Sequence, residues 1–194
     1  MTRMAGKMRK KLHTRKGFTL AETLLAILIL LLVSSIVAAG IPSARNAYEK
    51  VVLASNAEVL LSTTITSLRN ELGASQDVHE LELTPADAAE ANTAVSFYHP
   101  VRGAPSRLFV SNADRSIMIQ RYYSEDGMMK NSDPEQLISP ETATGDLYVT
   151  YTKVECSHGI VTFSGLSVNR RSGSEGLAER ETLSIRIISD VGED

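Results

Sequence analysis

Hydrophobic and polar residues are sharply segregated along this 194-residue chain. Residues 1–17 contain seven basic side chains and no acidic one, whereas residues 23–44 contain no charged side chain. The apolar run 24–41 would be about 27 Å long as a helix, or about 36 Å if the helix starts at Phe18, and the hydrocarbon core of a bilayer is about 30 Å thick. The pattern therefore predicts a membrane-spanning helix.

The apolar pattern changes after residue 40. Apolar or small residues then recur every three or four positions, as one face of an amphipathic helix requires. Pro42 would either end the helix near residue 40 or bend a helix that continues. The periodicity favours a continuous helix with a kink at Pro42, and Gly73 suits its C-terminal cap. The stripe comprises Gly40, Ala44, Ala47, Val51, Ala54, Ala57, Leu61, Ile65, Leu68 and Leu72.

The second half of the chain predicts β-strands. Residues 108–110 and 117–119 flank a polar turn-like segment and indicate a hairpin, which Tyr122 and Tyr123 extend. Further strands are expected at 147–154, 160–168 and 182–187, with a turn at 156–159. Segments 74–106 and 124–144 are predicted to be irregular, apart from a short helix opening at Thr84 and Pro85. We expect an α+β fold, in which residues 54–72 of a long N-terminal helix pack on one antiparallel sheet of four or five strands.

The residues at positions 17–22, Gly-Phe-Thr-Leu-Ala-Glu, lie between the basic segment and the apolar run. A carboxylate at the edge of a membrane segment is energetically costly, so Glu22 requires an explanation. The order of leader, glycine, phenylalanine, glutamate and apolar run resembles the processing site of type IV prepilins and type II secretion pseudopilins. The resemblance implies cleavage after Gly17, N-methylation of Phe18, and a role for Glu22 in docking subunits.

Glu22 has two interpretations. It could simply reach the cytoplasmic interface, or it could pair with the α-ammonium of Phe18 on an adjacent subunit. An unpaired charge in a low-dielectric helix bundle costs several kcal/mol, so such a pair would fix the height at which subunits meet. The N-terminal segment could also be an ordinary signal peptide cut near residues 37–39, or an uncleaved signal anchor. The apolar run exceeds the 7–15 residues typical of a signal peptide, which favours prepilin-type processing.

Removal of the leader changes the charge of the chain. The mature product would carry 13 Lys and Arg against 23 Asp and Glu, a formal net charge of −10. An acidic body disfavours non-specific binding to nucleic acid or anionic lipid. Basic residues that precede a membrane span tend to stay in the cytoplasm, so the head is expected outside the cytoplasmic membrane.

No motif in the sequence indicates catalysis. Cys156 and His158 are close together, but a zinc site usually requires four ligands, and the acidic clusters lack the spacing of a calcium-binding EF-hand. One cysteine also excludes an intramolecular disulfide. The arginines at 170, 171 and 180 could meet DNA phosphates, but three interleaved glutamates nearly cancel their charge. We therefore predict no enzyme activity, no cofactor and no metal site.

The expected organisation is a cleaved leader at 1–17, a membrane and assembly helix at 18–41, its amphipathic continuation at 42–72, and a globular head at 73–194. The resemblance implies a structural subunit of a type IV pilus, a type II secretion pseudopilus or a competence filament. It also implies partners: a prepilin peptidase, sibling subunits, a membrane platform protein and, through it, an assembly ATPase. The alternatives are a membrane-tethered enzyme or binding domain, and a tip subunit that binds DNA or a surface.

Overall fold

A computed structural model of the chain describes residues 19–82, 93–111, 113–125, 128–139, 141, 146–173 and 176–188. The chain divides into two units, Met1–Tyr48 and Glu49–Asp194. The short helix expected at Thr84 and Pro85 lies outside the described residues.

One helix dominates the first part of the chain. Helix α1, Leu20–Gly73, has 54 residues and contains Pro42 in its interior. The prediction of a helix that continues past residue 40 is therefore confirmed, while the kink at Pro42 stays a prediction. A proline removes one helical hydrogen bond, and alanines at positions 38, 39, 44 and 47 supply strong helix formers on both sides of Pro42.

The buried face of α1 starts later than the stripe predicts. Its fully buried residues are Ala57, Leu60, Leu61, Thr64, Leu68 and Leu72. The stripe from Ala57 onward is confirmed, except that Ile65 is only partly buried. The expectation that Ala54 also packs on the head is wrong, because Ala54 is exposed. Thr64 tolerates burial because its hydroxyl donates to the carbonyl of Leu60 over 2.8 Å.

The end of α1 is closed by the residues that follow it. The backbone amide of Ser75 donates to the carbonyl of Leu72 over 3.1 Å, and the Ser75 hydroxyl donates to the carbonyl of Glu71. These bonds satisfy carbonyl groups that have no partner within the helix. The helix thus ends at Gly73, as the sequence predicts.

Ten strands form two antiparallel sheets in the described part of the head. The six-stranded sheet has the order β1-β2-β3-β4-β5, with β6 also paired to β4. The four-stranded sheet has the order β10-β9-β7, with β8 also paired to β9. The strands are β1 Gln76–Glu82, β2 Thr93–His99, β3 Ala104–Val110, β4 Ile117–Glu125, β5 Met128–Asn131, β6 Glu135–Gln136, β7 Leu147–Thr150, β8 Lys153–Ser157, β9 Ile160–Arg170 and β10 Gly176–Arg186.

The α+β class is confirmed, but the prediction of a single sheet with four or five strands is wrong. Strands β1 and β2 lie in the segment expected to be irregular, because β1 is polar and β2 carries polar residues among its apolar ones. Strands β5 and β6 were also missed, since they have four and two residues and are mostly exposed. Short or polar strands lack the strong alternation that reveals a half-buried strand.

The predicted hairpin is confirmed as β3 and β4, in which Val110 faces Ile117. The predicted strand 147–154 is divided into β7 and β8, which both pair with β9. The division lies at Thr152, opposite Gly165. Gly165 has a φ of 63°, and a Cβ atom there would lie 2.5 Å from the Thr152 hydroxyl oxygen. Only glycine accommodates both the left-handed backbone and this close approach.

The main hydrophobic core lies between α1 and the two sheets, and a smaller cluster of Ala94, Phe109 and Met118 is separate from it. The buried face of α1 packs against the inner residues of both sheets, including Val95 and Phe163. The last strand shows the predicted alternation, since Leu183 and Ile185 are buried while Thr182 and Ser184 are exposed. This core fixes the end of α1 on the head.

Thr93 connects the two sheets. Its hydroxyl donates to the carbonyl of Val154 over 3.1 Å and accepts from the backbone amide of Val154 over 2.8 Å. The buried Tyr151 hydroxyl donates to the carbonyl of Thr93 over 3.1 Å. The Thr93 side chain thus makes the bonds that a strand partner would otherwise make with Val154.

We predict that Thr93→Val lowers the free energy of unfolding by about 1–3 kcal/mol, because it leaves the buried amide of Val154 without an acceptor. The control is Thr162→Val, since the Thr162 hydroxyl makes only a 3.4 Å contact with Ser184 on an exposed surface. Chemical denaturation of the detergent-solubilised chain measures both. Equal stability of the two variants would contradict the proposed link between the sheets.

Candidate functional site

The first half of α1 is a fully exposed apolar surface. Every residue from Leu20 to Val52 is exposed. In the described part of the chain, α1 alone is long and apolar enough to cross a membrane. The large apolar side chains before Pro42 include Leu24, Leu28 and Leu32, which are 60%, 57% and 57% exposed.

Water is an unfavourable environment for this surface. Thirteen large apolar side chains between Leu20 and Ile41 are more than half exposed. Burial of one such side chain contributes about 1.5–3 kcal/mol, so the segment as a whole gains on the order of 20–40 kcal/mol when it is covered. A gain of this size requires lipid or other apolar helices around the segment.

Thr19 and Glu22 form a reciprocal hydrogen-bonded cap at the start of α1. The amide of Thr19 donates to Glu22 Oε2 over 2.9 Å, and the Thr19 hydroxyl donates to the same oxygen over 3.1 Å. The amide of Glu22 lies 3.3 Å from the Thr19 hydroxyl oxygen and donates to it. This is a capping box, in which two groups at the helix start satisfy each other. Thr19 was missed in the sequence, although threonine followed three residues later by glutamate is the usual signal.

The cap gives Glu22 a third role beside the two considered from the sequence. Both bonds from Thr19 end on Oε2, so the carboxylate is turned back toward the N-terminal end of the helix. An acidic group in the first turn also interacts favourably with the helix dipole. A cationic group just before Thr19 would therefore meet a carboxylate that is already oriented toward it.

Of the other predicted site residues, Pro42 alone lies in the described part of the chain. Gly17 and Phe18 lie outside the described residues. Pro42 lies in α1, 20 positions after Glu22, which corresponds to about 30 Å along the helix axis. The proposed roles of Gly17 and Phe18 therefore remain predictions.

Cys156 lies in strand β8 and not in the expected turn, because β8 continues to Ser157. The turn consists of His158 and Gly159, both with positive φ. Cys156 is partly buried, and burial, with a further contribution from Glu80, raises the pKa of its thiol to about 11. Among the described residues, no group of three His, Cys, Asp or Glu side chains could hold a metal ion.

The arginines near the last hairpin are partly engaged within the head. Arg171 lies 3.7 Å from the carboxylate of Asp146, and its guanidinium is 5.8 Å from the centre of the Tyr148 ring. Arg180 belongs to strand β10, which begins at Gly176 and not at residue 182 as the sequence predicted. The arginines are therefore distributed over a strand end, a turn and a neighbouring strand.

A cluster of charged side chains in a polar groove surrounds the C-terminal end of α1. Two guanidinium nitrogens of Arg102 donate to the Glu71 carboxylate over 3.0 and 2.9 Å. Arg121 lies 3.7 Å from Glu71 and donates to Glu135 over 3.0 Å. A carboxylate in the last turn of a helix is unfavourable beside the helix dipole, and the two arginines offset this effect. The ion pairs of Glu71 thus hold the end of α1 beside strand β4.

No protein-family model matches this chain, and no curated protein or solved structure is significantly similar to it.

We predict that Cys156 is an unreactive thiol. Its pKa of about 11 leaves on the order of a hundredfold less thiolate at pH 8 than an exposed cysteine has. Alkylation by iodoacetamide, followed by mass spectrometry, should be slow in the folded chain and should accelerate up to about pH 11. Rapid labelling at pH 8, or a rate that levels off below pH 9.5, would contradict this assignment.

Proposed function

We propose that this chain is a prepilin-like structural subunit of a type IV filament system. The observation that carries the proposal is the division of α1 into an exposed apolar first half and a second half whose buried face packs on an antiparallel head. A filament subunit needs both parts, because the first half can pack among neighbouring stems while the head stays soluble. Glu22 and its cap lie at the start of the same helix.

The capping box supports a docking role for Glu22. After cleavage behind Gly17, Phe18 would carry the new α-ammonium, with a pKa near 7.7–8.0 in model compounds. The Glu22 carboxylate, held by Thr19, would pair with that ammonium on an adjacent subunit. A subunit that entered at the wrong height would leave both charges unpaired in an apolar bundle, at a cost of several kcal/mol. N-methylation of Phe18 would keep the positive charge.

In this proposal the chain is the substrate of a prepilin peptidase and then a subunit of the filament. A prepilin peptidase removes residues 1–17, the subunit is stored in the cytoplasmic membrane with its head outside, and sibling subunits then assemble with it. A membrane platform protein and an assembly ATPase act on it indirectly. The basic leader before the apolar run supports this orientation.

The first test is the cleavage site. Gly17→Leu should leave the leader attached, since the resemblance implies a peptidase that requires a small residue there. Lys16→Arg is the matched control and should be processed normally. Gel mobility and N-terminal sequencing of chains from a host with a prepilin peptidase provide the readout. A shortened Gly17→Leu product that begins with Phe18 would refute the assignment.

The second test separates the charge of Glu22 from its cap. Glu22→Ala and Glu22→Gln should both be membrane-inserted and cleaved but poorly assembled, because neither can pair with an ammonium. Glutamine still accepts the hydrogen bonds of a capping box, whereas Thr19→Ala keeps the carboxylate and loses the cap. Thr19→Ala should therefore assemble better than Glu22→Gln.

The amount of each variant in sheared filaments, relative to its amount in the membrane, measures this difference. Normal incorporation of Glu22→Ala or Glu22→Gln would contradict the ion pair. If Thr19→Ala alone failed to assemble, the capping role would be the essential one and the docking hypothesis would be wrong.

A further inference from the structure

The exposed apolar part of α1 has a charged residue at each end. Residues 23–44 contain no charged side chain, whereas Glu22 precedes this run and Arg45 follows it. All of them belong to α1, and all are exposed. As a helix the uncharged run is about 33 Å long, which matches a hydrocarbon core about 30 Å thick. The run can therefore cross the core with one charge just outside it on each side.

The two charges decide how deep α1 lies in the bilayer. If the core were centred on residues 18–41, Glu22 would lie about 11 Å from the midplane, inside a hydrocarbon half-thickness of about 15 Å. A carboxylate at such a depth is energetically costly. If the core is centred on residues 23–44, Glu22 and Arg45 both lie about 17 Å from the midplane and outside the hydrocarbon. The second placement is therefore the more stable one for a single copy in the membrane.

The cap of α1 is consistent with this depth. Both hydrogen bonds from Thr19 end on Oε2 of Glu22, so the carboxylate points toward the N-terminal end of the helix and away from the uncharged run. Arg45 marks the other boundary by its position in the sequence alone, as the first charge after the run. The contacts of its side chain within the chain therefore do not affect the placement.

Tyr48 is the one aromatic residue of α1 and lies just past the second boundary. Its side chain is 71% exposed, compared with 37% for Tyr98 and 46% for Tyr123 in the head. In the favoured placement the Cα atom of Tyr48 lies about 22 Å from the midplane, at the outer edge of the headgroup layer. Side chains of a helix lean toward its N-terminus, so the ring of Tyr48 leans back into that layer.

Tyrosine suits the headgroup layer because its ring is apolar while its hydroxyl can stay hydrated. For this reason tyrosine is enriched at both membrane–water interfaces of spanning helices. We propose that Tyr48 packs against phospholipid headgroups at the outer surface of the cytoplasmic membrane, while residues 23–44 span the hydrocarbon core. The partner of this exposed part of α1 is thus the lipid headgroup layer.

This depth adds a storage state to the proposed function, and it rests on the membrane anchor of that proposal but not on cleavage. In a stored copy Glu22 lies in the cytoplasmic headgroup layer, where water and lipid headgroups solvate its charge. When the copy leaves the bilayer for a filament, Glu22 enters an apolar bundle and requires a partner charge there. The α-ammonium of Phe18 on an adjacent subunit then becomes that partner.

The chain contains no tryptophan, so a single introduced tryptophan reports its own surroundings. Full-length variants are reconstituted as isolated copies in phosphatidylcholine vesicles, whose lipids carry bromine either near the headgroup end or near the methyl end of the acyl chains. The emission of Tyr48→Trp should be reduced more by the shallow bromines, whereas that of Leu32→Trp should be reduced more by the deep ones. Tyr98→Trp, on the head, should be affected by neither.

A nitroxide label provides a second measurement, because tryptophan itself favours the interface. In a Cys156→Ser chain the label is attached to Tyr48→Cys or to Tyr98→Cys. The ratio of its collisions with oxygen, which concentrates in lipid, to its collisions with a water-soluble nickel chelate should be severalfold higher at position 48. Equal ratios at the two positions would overturn the proposal. So would an emission of Tyr48→Trp that no bromine reduces, or one that the deep bromines reduce more.

Leu32→Trp separates a failure of this inference from a failure of the proposed function. If both bromine positions leave its emission unchanged, α1 does not cross the bilayer and the filament subunit is contradicted as well. If the deep bromines reduce its emission while Tyr48→Trp behaves like Tyr98→Trp, the membrane anchor remains and only the headgroup contact is wrong.

Discussion

The constraint on which the structure depends is that the first half of α1 has no cover of its own. From Leu20 to Val52 the helix is exposed on all sides, and most of its large side chains before Pro42 are leucine, isoleucine or valine. The free energy of leaving this surface in water exceeds the 5–15 kcal/mol by which a typical domain is stable. The apolar segment of α1 before Pro42 must therefore be surrounded by lipid or by other apolar helices.

The second half of the same helix, in contrast, packs against the head. Ala57, Leu61 and Leu68 are buried against both sheets, and the ion pairs of Glu71 hold the last turn beside β4. The same helix therefore supplies an uncovered apolar segment in its first half and part of the core of the head in its second half.

Much of α1 was predictable because its periodicity is strong and long: the helix, its end at Gly73 and the burial of Ala57, Leu61, Leu68 and Leu72 follow from spacing. The buried Leu60 and Thr64 lie outside the predicted stripe. The capping box was missed but could have been predicted, since Thr19 precedes Glu22 by three residues. Strands β1 and β2 were not predictable, because β1 is mostly polar and β2 buries the polar residues Thr93 and His99 beside its apolar ones, which masks the alternation. The bonds between Thr93 and Val154, or between Glu71 and Arg102, join residues far apart in sequence, and no local pattern specifies them.

The central claim is that cleavage after Gly17 leaves an α-ammonium on Phe18, which pairs with the Glu22 carboxylate of an adjacent subunit. The most direct measurement is the intact mass of the protein extracted from its native membrane. The account predicts a chain that begins at Phe18 and carries one additional methyl group. A mass that retains residues 1–17, or one that corresponds to cleavage near Ala39, would contradict it.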